Sequence, residues 1–184
     1  CYDGLLYAAA HAADLGIDAS RIILGGTSAG GGLAATTALR VRDHGGPALY
    51  GLFLNCPMLD DRMTTISAHQ FDETVLWTQP MNVFGWTSLL GGRYQSDAVT
   101  AYEAAGRATS LEGLPPTFIE VGSADIFRDE DVDFASRMWA DGGDVELHVW
   151  PGAIHGFDVI APKAAVSAAA VNARTDWIRR LLAR

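Results

Sequence analysis

The sequence predicts an α/β domain: an open, mostly parallel sheet with helices on both faces. Three observations carry that reading. Short apolar runs at Ile22 to Leu24, Ala48 to Asn55, Thr117 to Gly122 and Asp144 to Pro151 alternate with segments whose apolar residues recur at helical spacing. The second run is apolar almost throughout, as a strand covered on both faces must be. Glycine and polar turn residues punctuate the passages from strand to helix and back.

At 184 residues the chain has the size of one domain, expected to span residues 1–184. With 49% hydrophobic and 19% charged residues it reads as a globular protein. A net charge of −9 repels phosphate backbones and anionic lipid, which excludes nucleic acid and membrane surfaces as natural partners and leaves neutral or cationic small molecules. The two cysteines, Cys1 and Cys56, have neither metal-ligand spacing nor the density of a disulfide scaffold. Cys56, among apolar residues, reads as a small core hydrophobe, and a reducing, cytoplasmic compartment is expected. No run reaches the roughly 18 apolar residues of a membrane span, and no signal peptide is legible.

In chain order, Tyr2 to Leu15 places Leu5, Leu6, Ala9, Ala10 and Ala13 on one helical face and ends at Gly16. Because this helix begins at once and Cys1 is no initiator, the chain is expected to lack its natural beginning. The first strand follows, then a helix to about Asp43 carrying Leu33, Ala34, Ala38 and Leu39, stopped by His44-Gly45-Gly46-Pro47. Residues 57–116 are irregular, with polar residues dominating Asp60 to Thr74 and a helix over Met81 to Leu90. A connection this long is expected to form a lid or pocket wall, or an extra helical layer on the sheet. Asp129-Glu130-Asp131 opens the next helix and is expected to cap it, complementing the helix dipole, with Val132, Phe134, Ala135, Met138 and Trp139 inward. The last helix runs from about Pro162 to Arg184.

The chemistry concentrates where the first strand ends. Gly26-Thr27-Ser28-Ala29-Gly30 matches the nucleophile elbow, a strand-turn-helix in which the serine occupies a strained position and its neighbours two before and two after are tiny. A Cβ on Gly26 or Gly30 is expected to collide there. A serine hydroxyl needs a base, and that base needs an acceptor to orient it. His155, in a glycine-bracketed loop after the fourth strand, and Asp125, just after the third, fit those roles, since open α/β sheets gather function beyond the carboxyl ends of their strands. His11, His44, His69 and His148 lie in or beside helices, in the polar stretch, or inside a strand, and fit the role less well.

These motifs, together with Leu114-Pro115-Pro116-Thr117, Val121-Gly122-Ser123-Ala124-Asp125, Arg128-Asp129-Glu130 and Pro151-Gly152-Ala153-Ile154-His155-Gly156-Phe157, resemble the hormone-sensitive-lipase-like esterases of the α/β-hydrolase superfamily, in the branch with Gly-Thr-Ser-Ala-Gly at the elbow. The resemblance covers nearly the whole chain. It implies an α/β-hydrolase fold and hydrolysis of short- to medium-chain carboxylic esters, without metal or cofactor, by Ser28, Asp125 and His155. It also implies a homodimer. Amide or formamide hydrolysis on the same three residues, and a non-catalytic ligand-binding relative or an inert fragment, are the alternative readings. The family takes oxyanion donors from an upstream His-Gly-Gly-Gly segment, and within these 184 residues only the N–H of Ala29 fits that role. The chain is therefore expected to be the C-terminal part of a longer esterase. Alone it should be nearly inactive, since one lost donor costs about 2.7–4 kcal/mol, and it should leave an open sheet edge.

Overall fold

In the computed structural model, which describes residues 1–71 and 76–184, four parallel strands stand in sequence order. They are β1 (Ile23–Thr27), β2 (Gly51–Asn55), β3 (Thr117–Gly122) and β4 (Val145–Trp150). Their carboxyl ends lie side by side, with Thr27 opposite Asn55, Asn55 opposite Glu120 and Glu120 opposite His148. Side-chain alternation then decides which helix each strand residue meets. Leu52, Leu54 and Ile119 point to one face, against Ala34, Ala35, Ala38 and Leu39 of α3 (Ala29–His44) and Phe134, Ala135 and Met138 of α6 (Arg128–Ala140). Phe53 and Phe118 point to the other, against Trp177 and Leu181 of α8 (Ala165–Leu182).

The inner strand β3 is buried at every residue, whereas β1 and β4, the outer strands among the described residues, are only half covered. β1 starts one residue later than the apolar run at Ile22 to Leu24 and extends through two glycines and Thr27. The first helix is broken at His11 into α1 (Tyr2–Ala10) and α2 (Ala12–Leu15), and buries only Leu5. Trp139, expected inward, is exposed.

Of the 57–116 connection, residues 72–75 lie outside the described residues, and with them the end of the expected polar stretch. The rest holds α4 (Ser67–Gln70) and α5 (Gln79–Leu90). Met58, Met63, Ala68, Trp86 and Leu90 pack with Val121, Ile126 and Phe127 into a second core, placed over the carboxyl ends of the strands. After β4, α7 (Phe157–Ile160) leads to α8. Among the described residues no helix is long and apolar enough to cross a membrane.

Candidate active site

Ser28 joins β1 to α3 with φ 58° and ψ −123°, a conformation that an L-residue holds only when its surroundings over-determine it. Three backbone bonds do so. The Ser28 N–H donates to the Asn55 carbonyl at 2.9 Å, and the Ser28 carbonyl accepts from Gly32 at 3.1 Å and Met58 at 3.0 Å. A Cβ on Gly26 would lie 2.2 Å from the Gly30 carbonyl oxygen, so that position is closed to any side chain. At Gly30 the expected collision is absent, with open space for 4 Å around. The close approaches fall at the next two residues instead: Cβ atoms there would lie 2.8 Å from Pro57 Cβ at Gly31 and 2.2 Å from the Met58 carbonyl oxygen at Gly32. The reason is geometric, since α3 turns its 31–32 face against the chain leaving β2.

The fold brings the three singled-out side chains into a row. His155 Nε2 lies 2.9 Å from Ser28 Oγ, and His155 Nδ1 lies 2.8 Å from Asp125 Oδ2. A carboxylate can only accept, so Nδ1 carries the proton and the Nε2 lone pair faces the serine hydroxyl. The other Asp125 oxygen accepts the Phe127 N–H at 3.0 Å, and the aspartate side chain has no exposed surface. The Phe127 ring meets the imidazole edge-on at 5.3 Å, and Trp77 lies 6.2 Å from it. Behind the histidine loop, Arg174 of α8 holds Asp158 of α7 at 2.7 Å and also bonds Glu120 of β3, tying the turn after His155 to the sheet. Ala29 opens the 16-residue helix α3, so its N–H is among the donors that a helix start leaves without an intrahelical partner.

The remaining histidines have other occupations: His11 bonds the Tyr7 carbonyl, His44 lies against Tyr102, His69 bonds the Met63 carbonyl and Gln79, and His148 pairs with Glu146 and stacks on Trp150. The acidic run at the start of α6 departs from its expected capping role. Asp129 accepts the Ser67 N–H, and buried Glu130 accepts the N–H groups of Leu59 at 2.7 Å and Asp60 at 3.3 Å, so these acids fasten the chain that leaves β2. Asp131 is fully buried, and both its oxygens lack a partner among the described residues. Burial, reinforced by Glu130 and Asp125, pushes its carboxyl well above the usual range.

Cys56 was expected to be core filling, and it is buried. It also follows β2 directly, with φ 38°, and its sulfur lies with an Asp125 oxygen and a His155 nitrogen inside a 4.8 Å cluster. Burial and the Asp125 carboxylate push the thiol well up, so it remains protonated and is no nucleophile. The rule that selected Ser28, Asp125 and His155, a position just past a strand, was the signal for Cys56 as well.

A family model for the alpha/beta hydrolase fold matches residues 1–159. The chain is 33% identical over 153 residues to Esterase LipI of Mycobacterium tuberculosis, covering 82% of this chain and 47% of that protein. It is 33% identical over 162 residues to Carboxylesterase NlhH of the same organism, covering 84% and 50%. Among solved structures, Bacterial Heroin Esterase superposes with a TM-score of 0.95 at 45% identity, covering 99% of this chain and 58% of that one. Esterase LipW from Mycobacterium marinum does so with a TM-score of 0.91 at 32% identity, covering 98% and 56%. The chain spans about half the length of the curated relatives it matches.

Proposed function

Because the chain belongs to the alpha/beta hydrolase fold family, we propose that the protein is a serine carboxylesterase acting on short- to medium-chain esters through Ser28, His155 and Asp125. The observation that carries this reading is the unbroken row from Ser28 Oγ through His155 to Asp125, with spacings of 2.9 and 2.8 Å. His155 Nε2 takes the hydroxyl proton as Ser28 Oγ attacks the ester carbonyl. The oxyanion draws on the Ala29 N–H and the positive end of α3. His155 then gives its proton to the departing alcohol, leaving an acyl-serine, and water repeats the two steps to release the acid. Asp125 keeps the imidazole in the required tautomer and stabilises it while charged. The relatives' names favour esters over amides, and the two free thiols suit a cytoplasmic location. The homodimer belongs to the same reading and is read out by sedimentation.

A fluorophosphonate probe should label the protein at Ser28, Ser28→Ala should abolish the label, and Asp125→Asn should slow turnover of a p-nitrophenyl ester by about 10⁴ while leaving the fold intact. An amide series beside the ester series tests the substrate class. Labelling that survives Ser28→Ala, or an Asp125→Asn variant as fast as the parent, would remove the proposal.

A further inference from the structure

A glycine stands in the middle of α5, at position 85 of a helix running Gln79–Leu90. Glycine weakens a helix interior, so a glycine there calls for a local reason. Packing is not that reason. A Cβ on Gly85 would meet Met58 Cε at 3.5 Å and Trp77 Cζ2 at 3.6 Å, both ordinary contacts, and the residue's φ is not in the left-handed region. What the missing side chain leaves is space. A cavity of about 170 Å³ lies between α3 and α5, with Ala29, Gly32 and Leu33 on one wall and Gly85, Trp86 and Leu89 on the other. Met58 and Trp77, the two side chains toward which a Gly85 Cβ would point, also line it, and Ala29 on its wall is the residue that follows Ser28 in the chain.

We infer that this slot receives the apolar chain of the ester and that Gly85 sets the length accepted. The inference rests on the esterase reading and names a substrate class for it: neutral, unbranched chains. The walls are almost wholly hydrocarbon. Among the described residues that line it, the one carboxylate, Glu103, is engaged by Arg93 and by the Thr100 N–H and hydroxyl, so these walls offer no uncommitted charge to a charged chain. At roughly 30 Å³ per water-sized group the volume holds about five or six heavy atoms. Each methylene buried in it should strengthen binding about fourfold until the slot is full. Leucine at 85 would occupy the space that the chain requires.

The test is binding of two neutral or product-like series, 1-butanol to 1-octanol for the alcohol half and butanoate to octanoate for the acyl half. Both are followed by the fluorescence of Trp77 and Trp86, in the parent and in the Gly85→Ala and Gly85→Leu variants. One series should show affinity rising with length to about six carbons, and that series identifies the half of the ester that the slot holds. Gly85→Leu should flatten the rise, with at least a tenfold loss for the six-carbon member, and Gly85→Ala should cost about two- to fourfold. Melting temperatures should hold or rise, because alanine and leucine are better helix formers than glycine. Length dependence that is the same in Gly85→Leu, or absent in both series for the parent, would overturn the inference. Fluorophosphonate labelling of Ser28, run beside it, separates the two claims. A labelled protein whose binding ignores residue 85 loses the slot and keeps the esterase, and the reverse pattern loses the esterase and keeps the slot.

Discussion

The ends of β1 and β3 each deliver one group to the same row of hydrogen bonds, and they do so by opposite means. At the end of β1 the chain has shed its side chains. Gly26, Gly31 and Gly32 let backbone approach backbone, and Ser28 is held in a strained conformation by three main-chain bonds. At the end of β3 the chain is crowded with acids: Asp125, Glu130 and Asp131 are all buried within seven residues. There, position is fixed by what each carboxyl accepts, a histidine and an N–H for Asp125, two N–H groups for Glu130, and nothing among the described residues for Asp131. One end is specified by steric exclusion and the other by hydrogen bonding and charge, so they should fail differently.

The largest effect is expected at the β1 end. Gly26→Ala would place a Cβ 2.2 Å from the Gly30 carbonyl oxygen, and Gly32→Ala would place one 2.2 Å from the Met58 carbonyl oxygen. Backbone atoms cannot rotate aside as a side-chain terminus can, so each variant should lose stability at or above the upper end of the 1–3 kcal/mol usual for overpacking, and Ser28 labelling should go with it. Urea denaturation beside the labelling assay measures both. A well-folded, fully labelled Gly32→Ala variant would show that the chain leaving β2 can yield, and would break the claim that exclusion governs this end.

At the β3 end the expected failure is titration. Because the folded-state pKa of Asp131 is raised, the folded protein holds a proton that the unfolded chain releases. The stability this contributes is complete below the unfolded value near 4 and is lost as pH rises toward the folded one, with a slope of up to about 1.4 kcal/mol per pH unit. Asp131→Asn matches the protonated carboxyl in shape and cannot titrate. The variant should melt with the parent near pH 4 and above it by a margin that opens as the pH rises from there, while Ser28 labelling persists. Parallel melting curves across that range would mean that Asp131 is ionised and has a partner.

How far the sequence could be read follows the same division. The alternation of strand and helix, the elbow, and the strand-end positions of Asp125 and His155 are local patterns, and their convergence follows from the topology of a parallel sheet. β3 was legible to the residue because Phe118, Ile119 and Val121 form a short run that Pro116 precedes and Gly122 closes. β1 runs on past its apolar residues through Gly25, Gly26 and Thr27, which an apolar pattern does not record. The acids at 129–131 look like a helix cap in the sequence. Their partners, Ser67, Leu59 and Asp60, come from a segment some 60 to 70 residues away in sequence. Gly30 was credited with a clash that belongs to Gly31 and Gly32, because the motif records which residues are small and not which of them touches the neighbouring strand's exit.

That last misassignment gives the smallest and most discriminating measurement. Gly30 lies in the first turn of α3 with nothing within 4 Å of its ideal Cβ, and its φ is not in the left-handed region. Gly30→Ala therefore replaces the weakest ordinary helix former by the strongest at no steric cost, and should raise stability by about 0.5–1 kcal/mol. With Ser28 labelling unchanged, that result would sharpen the contrast with Gly26→Ala four residues away, two glycines of one motif with opposite responses to the same methyl group. If stability rises and labelling falls, the space beside Gly30 serves the approach to Ser28, and exclusion at the β1 end shapes the path of the substrate as well as the turn.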